Sequence, residues 1–74
     1  MNIEVQNRIE YTVMCISEFA NKNSLHPQKA YCYLKEFGGI TFLKDNYYAE
    51  HLQSIDDTIE DLLIICKRNG GYIG

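Results

Sequence analysis

Long apolar runs are absent from this 74-residue chain. The longest, Leu62 to Cys66, is five residues, where a helix crossing a bilayer takes about twenty. Behind Met1 there is no basic stretch leading into an apolar one, so no secretory leader is expected and the chain reads as soluble and cytoplasmic. Basic residues are few: seven Lys and Arg stand against ten Asp and Glu, a formal charge of -3 with a pI near 5.2. That is the wrong sign for a protein whose whole surface must hold phosphates. Cysteine is sparse and odd in number, Cys15, Cys32 and Cys66 at wide spacing, which excludes a disulfide framework and points to reduced thiols behaving as small hydrophobes. No Cys-x-x-Cys or His-x-x-x-His spacing joins them to His26 or His51, so no metal and no cofactor is expected. Glycine pairs occur at Gly38-Gly39 and Gly70-Gly71, but both follow helical segments instead of opening them, so no phosphate-cradling loop is present.

What is present is a foldable composition, 46% hydrophobic and 23% charged with one Pro, in a chain long enough for one domain and one small core. A core of this size leaves a few kcal/mol of stability, so self-association enters as a physical expectation.

Periodicity predicts helices throughout. Val5, Ile9, Val13, Ile16, Phe19 and Ala20 recur at three and four from Ile3 to about Lys22, an amphipathic first helix. Tyr11, Met14 and Cys15 widen its stripe beyond one packing face, so part of it is expected to meet a partner, while Glu4, Asn7, Arg8, Glu18 and Asn21 mark the wet side. Asn21 to Ser24 is turn chemistry. Pro27 opens a second helix of about ten residues, capped by Ser24 in preference to His26, and Gly38-Gly39 ends it. Thr41 is the expected cap of a third, short helix reaching about His51, with Phe42, Leu43 and Tyr47 inward. Ser54 and Asp57 both start capping-box patterns; Asp57 is preferred as the cap of a fourth helix ending at Lys67-Arg68, its acidic start and basic end matching the macrodipole. The run containing Ile64 and Ile65 would also suit a buried strand. Asn69-Gly70-Gly71 is a stop signal, and Tyr72 to Gly74 a tail that is loose or laid on the surface. The expected architecture is all-α: a compact bundle of four helices, two long and two short, with a loose C-terminal tail.

Tyrosine and phenylalanine are the largest chemical bias, six and three, with Tyr31, Tyr33, Phe37, Phe42, Tyr47 and Tyr48 close in sequence. They read first as an aromatic core with wet hydroxyls and second as a protein-binding face. The apolar residues least explained by one core stripe per helix are Tyr11, Met14, Tyr31, Tyr48, Ile64 and Ile65, and these are the candidate partner-binding surface. The second and third helices superficially form a helix-turn-helix, but from Ile40 to His51 there is one base, Lys44, beside Asp45 and Glu50, so DNA reading stands as the alternative and nucleic acid as an unfavoured partner. His51 is expected to close its helix by bonding a backbone carbonyl or Ser54. No nucleophile or paired acid accompanies it, and no catalytic site or small-molecule substrate is evident.

The segments 10–20, 30–34, 39–43 and 47–61, including Tyr47, His51 and Ser54 spaced as Tyr-x-x-x-His-x-x-Ser ahead of an acidic final helix, resemble a family of small bacterial proteins of unknown function. The resemblance implies an interaction role: genes of that family often lie beside those of ADP-ribosyltransferase-like proteins, which implies an antitoxin-like or accessory subunit. It assigns no catalytic residues. The functional expectation is therefore a non-enzymatic module that binds a protein partner or itself as a homodimer.

Overall fold

The computed structural model describes residues 3–73, with side chains from residue 5; Gly74 of the expected tail and the Glu4 side chain expected on the wet face lie outside them. Among the described residues there are five helices, α1 Ile3–Lys22, α2 Pro27–Glu36, α3 Gly39–Asp45, α4 Tyr47–Glu50 and α5 Ile55–Arg68, and no strand. The all-helical expectation holds, and the Ile64-Ile65 run is helical. The count of four does not hold, because the expected third helix is two. Asn46 breaks it: its backbone leaves helical geometry at φ -117°, ψ 21°, and its side-chain Nδ2 donates to the Phe42 carbonyl at 3.0 Å, the local competition with the backbone that makes Asn a poor helix-interior residue.

Three expected caps also move. Ser24 does not start α2 because it finishes α1. It sits at φ 55°, in the left-handed position of a Schellman turn, with Leu25 N–H donating to the Ala20 carbonyl (2.8 Å) and Ser24 N–H to that of Asn21 (3.4 Å). His26 takes over as cap of α2, its Nδ1 accepting from Gln28 N–H at 3.3 Å, and Pro27 follows where no backbone donor is needed. Thr41 caps nothing: Gly38, at φ 85°, turns the chain directly into α3. Ser54, not Asp57, caps α5, its Oγ accepting from Asp57 N–H at 3.2 Å. Starting at Ile55 lets that side chain pack against the core. At the far end Gly70, at φ 91°, makes a second Schellman turn, with Gly71 N–H on the Cys66 carbonyl (2.7 Å) and Gly70 N–H on that of Lys67 (3.1 Å).

The core is small: Cys15, Phe19 and Ala20 of α1, Ala30 and Leu34 of α2, Leu43 of α3, and Ile59, Leu62 and Cys66 of α5. Along one end of it Tyr33 stacks on Phe19 with centroids 5.8 Å apart and meets Phe37 at a tilt, 5.1 Å away. Two of the cysteines are core hydrophobes, as expected, but Cys32 is exposed. The C-terminal tail divides: Ile73 packs on the core while Tyr72 is exposed.

The largest departure concerns which face of α1 turns inward. The inward line is half-buried Tyr11 with buried Cys15 and Phe19, whereas Val5, Ile9 and Val13 remain 45, 51 and 56% exposed. Both lines have helical spacing. The inward one carries the aromatic ring and the thiol that share the core with Leu62 and Cys66, and it places the Tyr11 hydroxyl 3.2 Å from Thr58 Oγ1.

A non-glycine residue in the left-handed region is strained, and glycine there is not. Ser24→Gly, at an exposed site, is therefore expected to raise stability by about 0.5–1 kcal/mol, read as a higher urea midpoint with an unchanged slope.

Candidate functional site

The stripe that α1 leaves uncovered becomes one side of a groove. Val5, Ile9 and Val13 face Tyr31 of α2, Ile40 and Leu43 of α3 and Tyr47 of α4 across a concavity of about 480 Å³, with Arg8 and Lys44 as the charged residues along it. Ile16 and Tyr31 carry the depression on toward Pro27, Gln28 and Cys32. Buried Leu43 and half-buried Ile16 and Ile40 give it an apolar floor, and its rim is exposed β-branched side chains. Such side chains have few rotamers to lose, so they offer area at low entropic cost. A concave apolar strip at the junction of helices is suited to the apolar face of another helix.

The six residues expected to form the partner surface do not come together. Tyr31 lines the groove. Met14 and Ile64 are exposed on helix faces that do not line it. Tyr48 is exposed beside the groove, its ring 4.9 Å from the Arg8 guanidinium. Tyr11 and Ile65 are half-buried, and Tyr11 belongs to the packed side of α1. The surplus apolar width of α1 is legible in the sequence, and Phe19 and Ala20 of its expected stripe are buried, but Val5, Ile9 and Val13 of the same stripe stay exposed while Cys15 takes a place in the core. Val5, Ile9 and Val13 were the signal, a second line of β-branched residues at the same spacing.

Beneath one end of the groove lies a polar cluster that the sequence pattern did not announce. Glu50 of α4 is 6% exposed. Its Oε2 accepts from Gln53 Nε2 at 3.0 Å, the same nitrogen reaches Asp61 Oδ2 at 2.8 Å, and Glu50 Oε1 is buried without a hydrogen-bond partner. Burial foremost, then the charge of Asp61 and its hydrogen bond to the neutral acid, push the Glu50 carboxyl up to about 7. Thr58 Oγ1 donates to the Glu50 carbonyl at 3.2 Å and meets the Tyr11 hydroxyl. Burial likewise raises Tyr11 to about 12 and Cys15 to about 11, so both stay protonated and inert at neutral pH.

Above this cluster the rings of Tyr47 and His51 stack in parallel at 4.6 Å, with Tyr11 edge-on to Tyr47 at 5.5 Å. Arg8 lies 5.0 Å over the Tyr47 ring, a cation–π contact that ties α1 to α4. His51 Nδ1 meets the Tyr47 carbonyl at 2.8 Å, one of the two closures expected of it. Among the described residues no group of three or more His, Cys, Asp or Glu is gathered as for a metal ion, and no helix is long and apolar enough to cross a membrane.

Comparison with known proteins shows one family. Residues 10–69 match the family described as Protein of unknown function (DUF3791), and the chain belongs to it. No curated protein and no solved structure matches the chain.

Glu50 binds its proton more tightly in the folded chain than in the unfolded one, where a glutamate titrates near 4.5. The stability linked to it is therefore fully present below about pH 4.5 and is lost as pH rises to about 7, levelling off above, a loss of up to about 3 kcal/mol. Urea unfolding across this window checks it: the wild-type slope is expected to exceed that of Glu50→Gln, which has no proton to lose.

Proposed function

We propose that this member of the family is a non-enzymatic protein–protein interaction module whose α1–α3 groove takes up an apolar helix face of its partner. The observation that carries the reading is the uncovered Val5–Ile9–Val13 stripe facing Tyr31 and Ile40 across a preformed apolar concavity. Core-forming residue types left exposed in contiguity mark an interaction surface, whereas scattered ones are ordinary. Of the two bases along it, Arg8 lies over the Tyr47 and Tyr48 rings. Glu50, the most perturbed acid, is itself buried and is met by Gln53, which also bonds Asp61.

The partner is either a second copy, giving a homodimer, or a protein encoded nearby. The family resemblance favours the latter: a bacterial, cytoplasmic, antitoxin-like or accessory subunit that binds an ADP-ribosyltransferase-like neighbour. Met14 and Ile64, exposed elsewhere, belong to the periphery of that contact or outside it. The alternative of a DNA-reading regulator draws no support from the arrangement, since Lys44, the base of α3, lies along the apolar groove next to Asp45.

The test is light scattering on the purified chain alone and after co-expression with its genomic neighbour. A mass above the monomer in either sample is expected. Ile9→Asp, at a half-exposed position, is expected to keep the helical circular dichroism and weaken the complex about 30-fold or more, as loss of a central apolar anchor does. A monomer in both samples, or a complex indifferent to Ile9→Asp, overturns the reading.

A further inference from the structure

α4 is four residues long, far below the length at which a helix holds itself together. It stays in place through side chains. On the α1 side these are the rings of Tyr47 and Tyr48 with Arg8 over them and Tyr11 edge-on. On the α5 side they are Glu50, reached by the Gln53 amide that also reaches Asp61, and the Thr58 hydroxyl on the Glu50 carbonyl. Tyr47, three residues before Glu50, is the groove's wall at that end.

We propose that Glu50, with Gln53 and Asp61, is a proton-operated latch that holds α4 closed against α5 and thereby sets the shape of the docking groove. The part that concerns docking rests on the function proposed above.

The geometry supplies the mechanism. Glu50 is a carboxyl 94% removed from solvent by its 6% exposure, with one oxygen lacking any donor and a second carboxyl sharing its only amide donor. As the neutral acid it fits this place. When it gives its proton to the solvent buffer, a buried anion is left beside Asp61 with one shared amide between them, and burial of an unpaired charge is costly. Swinging α4 outward hydrates it. The titratable groups facing Glu50 from packed elements are Asp61 of α5 and, through charge coupling, Tyr11 and Cys15 of α1. Tyr11 and Cys15 are held neutral until about 12 and 11, so they add no charge in the range where Glu50, at about 7, changes its own. His51 is engaged by Tyr47, its ring stacked on the Tyr47 ring and its Nδ1 on the Tyr47 carbonyl, with Tyr11 edge-on at 6.5 Å. Opening is thus expected to grow as pH rises from about 5 to about 7.5 and to level off beyond.

Amide hydrogen exchange of the intact chain, corrected for the intrinsic pH dependence of exchange, tests the latch. The Glu50 and His51 amides, bonded to the Asn46 and Tyr47 carbonyls, are expected to exchange through a local opening insensitive to low urea. That opening should become at least about tenfold more frequent between about pH 5 and about pH 7.5. Glu50→Gln, whose neutral amide can still donate to Asp61, is expected to abolish the pH dependence and keep the low-pH protection. An opening frequency independent of pH, one as urea-sensitive as that of α5, or one unchanged in form in Glu50→Gln overturns the proposal. Should Glu50→Gln fail to fold, the carboxyl carbon resonance of Glu50 in the wild type decides: a midpoint in the ordinary carboxylate range overturns it. The Ile9 and Val13 methyl resonances are expected to shift with the same midpoint. If they do not, the link to the groove is overturned. None of these readouts uses a partner, whereas the docking reading is judged by association of Ile9→Asp, so failure of either is told from failure of the other.

Discussion

The structure depends on one mismatch: α1 is longer than anything that packs on it. Its twenty residues run about 30 Å in a particle whose longest extent is 38 Å, against fourteen residues in α5, ten in α2 and seven in α3. The short helices can cover one line of α1, and they cover Tyr11, Cys15 and Phe19. The neighbouring line, Val5, Ile9 and Val13, is just as apolar and has nothing over it. A chain of this size has too little surface to bury both, so the groove is a consequence of the core's choice of partner on α1.

That choice is supported by how the helices are ended. Both long helices stop in Schellman turns that deliver an apolar or close-packed residue straight back to the core: Leu25 after α1, and Gly71 after α5, where an added Cβ would come within 2.8 Å of the Cys66 carbonyl. Asn69 ties this second turn to the first glycine turn by donating to the Phe37 carbonyl at 2.8 Å. Ser24 closes α1 where glycine would be easier, which is why His26 must cap α2.

The polar chemistry of the molecule gathers under its weakest element. α4 has too few residues to be stable alone, and the cluster of Tyr11, Glu50, Gln53, Thr58 and Asp61 supplies what its backbone cannot. Aromatic contacts with Tyr47, His51 and Arg8 close the other side. Tyr47 of the same helix walls one end of the groove, so the groove and the most perturbed acid are joined through a single turn of helix.

Much of this was legible in the order of residues. Helical period, the glycine stops at Gly38 and Gly70, the proline at the start of α2 and the charge gradient of α5 are local properties, decided within a few residues of each other, and they dictated an all-helical chain with its long elements in place. The excess apolar width of α1 was equally plain. Which of its two lines would be buried was not, because both satisfy the same spacing and only the fit of the Tyr11 hydroxyl to Thr58, 47 positions away, and of Cys15 and Phe19 to α2 and α5 separates them. The break at Asn46 and the choice of Ser54 over Asp57 each turned on one side chain bonding the backbone, Asn46 Nδ2 donating to the Phe42 carbonyl and Ser54 Oγ accepting from Asp57 N–H. The burial of Glu50 belongs wholly to the tertiary structure: a glutamate at the end of a short helix is ordinarily wet, and it becomes a perturbed acid here because α5 brings Asp61 and Thr58 down upon it.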